Sequence, residues 1–166
     1  MRIWSTAIWF YLALALAAVF VLRTGSAMPD PVASHFGPSG AANGYMSRGF
    51  YVHAMLGFAV LLPLLLSWLV GRVLRLPNAR INIPHRDYWL APERRAESVG
   101  RLQRHMQFFG TVLAAFICYV HWQVVRANAH SPAQLDNMRF AAGLAAFLAT
   151  LIVWTVALRR QFRPPP

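Results

Sequence analysis

The chain reads as an all-α integral membrane protein of four transmembrane helices with both termini on the cytoplasmic side. Three observations carry that reading. The 166 residues are 57% hydrophobic, above the roughly 45–50% of a soluble domain. The apolar residues gather into four long blocks, not amphipathic stripes. The arginines between the blocks fall unevenly on two sides, as orientation charges do. About one domain's worth of chain is present, so a single membrane domain, 1–166, is expected, with the spans as its core.

A hydrocarbon layer of about 30 Å needs roughly 20 helical residues at about 1.5 Å each. Residues 3–22 supply that length without a charge. Arg2 before them and Gly25-Ser26-Ala27 after them would also suit a cleaved leader, but the stretch is long for one, so a span is expected. Trp4 and Trp9 suit interfacial anchoring near its inner end.

The outer loop, 24–48, reads TGSAMPDPVASHFGPSGAANGYMSR. Pro29, Pro31 and Pro38 with Gly37, Gly40 and Gly44 supply turn chemistry. Pro-Asp-Pro favours extended or turned backbone. Val32, Phe36, Tyr45 and Met46 give the loop apolar handles. An ordered, compact cap over the outer helix ends is predicted.

The second span, 50–70, is broken only by His53, Pro63 and Ser67. Pro63 should kink it by removing a backbone donor. The inner loop, 76–104, is extended or turned through Pro84. From Pro92, with Glu93 in the first turn, an amphipathic helix begins, with Val99, Leu102 and Met106 on one side. It is expected to run along the interface and bend into the third span. Tyr88, Trp89 and Leu90 are placed to dip into headgroups, while Arg86, Arg94 and Arg95, beside Asp87, meet anionic lipid or dock a partner.

The third span, 106–125, carries Cys118, His121 and Gln123, with Trp122 as an outer anchor. Gly110 and Ala114 form a small-xxx-small pair suited to helix contact. The fourth span, 140–158, has no ionisable group. Twelve of the 16 arginines lie beside the termini and in the loop after span two, against Arg23, Arg48, Arg126 and Arg139 on the other side. The richer side is cytoplasmic by the positive-inside rule. A multi-pass protein of the bacterial cytoplasmic (inner) membrane follows.

The net charge of +11 is all arginine, with no lysine. A pI near 11.5 suits nucleic-acid binders too, but topology accounts for these charges and no nucleic-acid partner is expected. Cys118 stands alone, which excludes an intrachain disulfide or a thiolate cluster. His53 and His121 each lie about one turn inside an outer span end, so antiparallel spans put them at similar depth. Neutral imidazoles there could take Zn²⁺ or Cu²⁺, completed by His35, Asp30 or His130, or could bridge haem or relay a proton. Hydrogen bonding to a neighbouring helix is the more economical reading, since no His-x₃-His or Cys-x-x-Cys spacing is present. No cofactor is expected, with divalent metal or haem as the alternative. Serine-hydrolase and intramembrane-protease motifs are absent, and no span carries paired acids. Asp87, Glu93 and Glu97 stand among arginines, as ion-paired surface groups do. The chain reads as non-enzymatic.

The segment MPDPVASHFGPSGAANGYMSR resembles the signature of the bacterial domain of unknown function 1648 family. Its members typically show Leu-Pro and an acid, Val-Pro, His-(Phe/Trp)-Asn, a Gly, Asp-Gly-(Trp/Tyr) and a Lys. The inner segment NIPHRDYWLAPERRAE resembles a second stretch found with that domain, Ile-Pro-Asn-Lys-Asp-Tyr-Trp. By position the matches are Pro29, Asp30, His35, Phe36, Gly40, Gly44, Tyr45, Arg48, Asp87, Tyr88 and Trp89. Gly37, Asn43 and Arg48 stand where the pattern has Asn, Asp and Lys. The family includes a Bacillus membrane protein that confers immunity to a secreted toxin and retains a repressor at the membrane. The resemblance therefore implies recognition of a ligand, peptide or partner protein through the outer loop, immunity- or sensor-like. An accessory subunit of a larger membrane complex is the alternative.

Overall fold

The computed structural model describes residues 3–76 and 79–163, with side chains from residue 6. Arg2 and the Trp4 side chain, assigned above to orientation and anchoring, lie outside the described set. Four helical segments are long and apolar enough to cross a membrane: Thr6–Ser26, Arg48–Arg75, Pro92–Ala127 and Asn137–Gln161. The first belongs to α1 (Ile3–Ser26), the third is α5 (Pro92–Ala127) and the fourth α6 (Asn137–Gln161).

The second crossing is built from three pieces. Helix α2 (Arg48–Leu56) runs into a π turn at Gly57–Leu61, and α3 (Leu62–Arg75) continues from it. Pro63 lies in the first turn of α3 and is buried. The kink expected at Pro63 thus takes the form of a widened turn ahead of the proline, where a missing backbone donor is cheapest.

The expectation of an all-α chain is corrected in the loop after α1. That loop holds an antiparallel hairpin, β1 (Val32–Phe36) and β2 (Ala42–Met46), with irregular register between Ala33 and Phe36. Five-residue strands bounded by Pro and Gly carry too little period-2 signal to stand out. The hairpin turns at Gly37–Gly40, closed by Gly40 N–H donating to Gly37 O at 2.8 Å. Gly40 has φ +82°, the left-handed region that a side chain resists.

In the basic loop the amphipathic helix begins at Pro92, as expected. It is the start of α5, an unbroken helix of 36 residues. At about 1.5 Å per residue it is ~54 Å long, so it runs well past the hydrocarbon layer. Before it, α4 (Arg86–Trp89) is one short turn.

The helices pack mainly around α5. Phe10 and Leu14 of α1 meet Ala114, with Val60 and Leu64 against them. One level nearer the hairpin, Ala17, Val21 and Ala59 pack together, and at the hairpin itself Met28, Val32, Tyr51 and Val124 do. Gly110 and Ala114 are both buried, and the small pair admits the Phe10 ring, as helix contact there predicted. Helix α6 lies against α5 through Phe116 and Phe147, whose rings stack 4.2 Å apart, yet it buries none of its residues. Trp9 is 67% exposed and Val153 69%. Apolar surface on that scale suits lipid, not water, as its neighbour.

Candidate functional site

Two arrangements stand out, both at the hairpin end. The first is a buried polar chain crossing three helices. Thr24 of α1 donates its hydroxyl to Phe20 O at 2.7 Å. Having spent its one hydrogen there, its oxygen accepts from His121 Nε2, 2.7 Å away. Nε2 therefore carries the ring proton, and Nδ1 is left as acceptor for the Tyr51 hydroxyl at 2.9 Å. His121 is 0% exposed. Its ring stacks on Tyr51 with centroids 5.6 Å apart and takes the Phe20 edge at 5.8 Å. Gly25 lets α1 and α2 close here: a Cβ on it would sit 2.7 Å from Val52 Cγ2. Every donor finds an acceptor, so the chain ties α1, α2 and α5 together and specifies their rotation.

The second arrangement is the cap. Asn128, at the C-terminal end of α5, accepts from Ala33 N–H and donates to Ala33 O, both at 2.9 Å. It takes the place of a third strand on the edge of β1. The loop after α5 holds the hairpin turn. Leu135 N–H donates to Gly40 O at 2.8 Å, Gln134 Nε2 to Ser39 O at 2.8 Å, and Asn137 Nδ2 to Pro38 O at 2.7 Å. On the other flank, Asp30 Oδ1 accepts from Arg48 N–H at 3.1 Å. The Arg48 guanidinium in turn donates to Met28 O at 3.0 Å.

The residues of the hairpin loop singled out from the sequence therefore divide. Asp30, Gly40, Gly44 and Arg48 hold the cap's own backbone. At Gly44 a Cβ would lie 3.0 Å from that of His35, its partner across the hairpin. Phe36 packs against the core beneath. Pro29, His35 and Tyr45 are exposed, Tyr45 by 59%. Asn128, Gln134 and Asn137 were not anticipated; the one available signal is amide side chains directly flanking two apolar blocks.

Gly40→Ala should unlock this clamp. It adds left-handed strain of about 1–2 kcal/mol and drives a Cβ into Leu135 O. Hydrogen exchange should then speed up in residues 32–46 and 128–137 while the spans stay protected. Unchanged exchange would show that the clamp is not what orders the cap.

His53 and His121 share no hydrogen-bond partner. His121 has both ring nitrogens engaged, as above, whereas His53 is exposed and its Nδ1 meets Gly49 O of its own helix at 2.7 Å. The buried ring of His121 and the exposed ring of His53 meet different partners. Among the described residues, no group of three or more His, Cys, Asp or Glu side chains gathers to hold a metal.

At the arginine-rich end, several residues assigned to lipid spend their donors internally. Arg94 lies 3.9 Å over the Tyr88 ring and donates to Tyr88 O at 2.8 Å. Arg95 donates to Leu76 O at 2.8 Å. Trp89 donates to Arg163 O at 3.2 Å and meets the buried Phe162 edge-on, which joins α4 to the end of α6. Arg86 and Asp87 remain exposed. Of the acids expected to pair with arginine, Glu97 holds Arg101, while Asp87 and Glu93 have no such partner among the described residues.

Residues 8–66 match the family model described as domain of unknown function DUF1648. The match spans most of α1, the hairpin and α2 through the start of α3. No curated protein and no solved structure matches the chain.

Proposed function

We propose that this four-span membrane protein is non-enzymatic and uses its clamped hairpin cap to recognise a partner polypeptide. In this reading it is a multi-pass protein of the bacterial cytoplasmic membrane with both termini inside. The cap faces outward and the arginine-rich end, with α4, faces the cytoplasm and its anionic lipid. The observation that carries the proposal is the division of labour in the outer loop. Asp30, Gly40, Gly44 and Arg48 are consumed in fixing the backbone, while Tyr45 and His35 stand exposed on it. An exposed tyrosine on a preorganised support loses little entropy on binding, the usual condition for a recognition anchor. An immunity-type role is one form this would take, with the partner arriving from outside.

A photo-crosslinking side chain placed at the exposed Asn43 tests it in intact cells. One discrete polypeptide adduct is expected, reduced about tenfold or more by Tyr45→Ala, as for an interface anchor. The variant's fold should be unaffected, within about 0.5 kcal/mol. No discrete adduct, or one insensitive to Tyr45→Ala, would overturn the reading. Reporter tags at the two ends should both register the cytoplasm; opposite compartments would overturn the orientation.

A second reading has one observation in its favour. Helix α6 buries none of its residues within the protein, which suits a face that packs on helices of a larger complex. Stoichiometric subunits retained after mild solubilisation, and lost when Val153 and Ile152 are made polar, would favour it.

A further inference from the structure

A groove of about 890 Å³ runs between α1, α5 and α6 at the arginine-rich end, near the upper end of small-molecule pockets, about 1,000 Å³. Its chemistry changes along its length. Arg101, Arg104 and His105 line it near the start of α5, and Phe108 follows one turn deeper. These spacings of three and four place all four on one helix face. From α6 the groove is walled by Val153 and Trp154, among small and apolar neighbours. The basic end lies where α5 emerges from its apolar span and the apolar end lies within the span.

The three basic groups are not equally committed. Arg101 is paired with Glu97, and His105 Nε2 meets Gln161 Oε1 at 3.0 Å. Arg104 has no ion-pair or hydrogen-bond partner among the described residues, and no acid lines the groove. A free guanidinium above an apolar slot at the headgroup level fits a ligand with an anionic head and a hydrocarbon tail.

We propose that this groove binds one anionic phospholipid, its phosphate on Arg104 and an acyl chain against Phe108 and Val153. A guanidinium binds a phosphate through parallel N–H···O bonds that a zwitterionic headgroup partly satisfies itself. This inference does not depend on what the cap recognises.

Native mass spectrometry tests it on the full chain, extracted and re-equilibrated with equal amounts of phosphatidylglycerol and phosphatidylcholine. One phosphatidylglycerol per chain should be retained in preference. Arg104→Gln should lower that retention about tenfold or more, through loss of the charged hydrogen bonds to the phosphate. Val153→Trp fills the apolar slot and leaves the charge, and it should displace the lipid too. Arg126→Gln, exposed in the last turn of α5 at the opposite end from the groove, should change nothing. Equal retention of the two lipids, full retention in either groove variant, or displacement by inorganic phosphate alone would each overturn the proposal.

Discussion

Replacing His121 by Ala should be among the most destabilising single changes, by about 3–4 kcal/mol. Truncating a buried ring of this size costs on the order of 2–5 kcal/mol through the cavity it leaves. The Tyr51 hydroxyl and Thr24 oxygen also lose their partner. Unmet polar groups cost about 1–3 kcal/mol each in soluble cores, but interhelical bonds in membranes average nearer 0.6, so the cavity dominates. His53→Ala is the control, since His53 is exposed and bonded only within its own helix; it should stay within about 0.5 kcal/mol. Equilibrium unfolding in mixed micelles reads both, and similar losses at the two sites would refute the buried chain. Tyr51→Phe keeps the stacked ring and removes one bond. Its cost should largely vanish in a His121→Ala background, because residues in one network do not add. The donor order can be checked separately. The ¹⁵N shifts of His121 should show Nε2 protonated and Nδ1 bare.

How much of this was legible in the sequence depends on which physical signal each feature leaves. The spans were legible because length and apolarity alone decide whether a helix can cross, and their rough bounds need no tertiary information. Gly110 and Ala114 were legible as a contact because small residues at that spacing make a groove wherever the partner lies. The hairpin was not: its signal is Val32, Phe36 and Met46 diluted among turn residues. Neither was the partner of His121. Depth along a span follows from counting residues, but each residue turns the helix by about 100°, so small errors in register or crossing angle decide which neighbour a ring meets. Counting therefore put His53 and His121 level yet could not say that Tyr51 and Thr24, also near span ends, would take the imidazole. The clamp by Asn128, Gln134 and Asn137 joins segments about 95 residues apart, and nothing local marks it. The start of α5 was legible, because Pro92 with Glu93 in the first turn marks a helix N-terminus and the amphipathic pattern runs from there into the third span.

The second large effect is expected at Gly110. A Cβ there would lie 2.8 Å from Phe10 Cε2 and 3.5 Å from Pro63 Cβ. Phe10 is 1% exposed and held among Leu14 and Ala114, so its ring has no free direction in which to yield. Gly110→Ala mixes two opposed effects. The clash costs, while replacing glycine inside a helix gains up to about 1 kcal/mol, so its net sign is a weak test. Gly110→Leu is the decisive variant, because three more carbons enter the same space with no further gain in helix propensity. Overpacking of this kind costs about 1–3 kcal/mol, occasionally more, and here it should push α1 away from α5. Gly57 offers the contrast. It lies in a span too, but nothing stands within 4 Å of where its Cβ would be, so Gly57→Ala should be neutral or mildly stabilising. Phe10→Leu should relieve part of the Gly110→Leu loss, since the obstructing ring is gone, and a double-mutant cycle would register that relief as favourable coupling. Additive losses would mean that α1 and α5 do not meet at this pair, and the packing at the centre of the bundle would have to be redrawn.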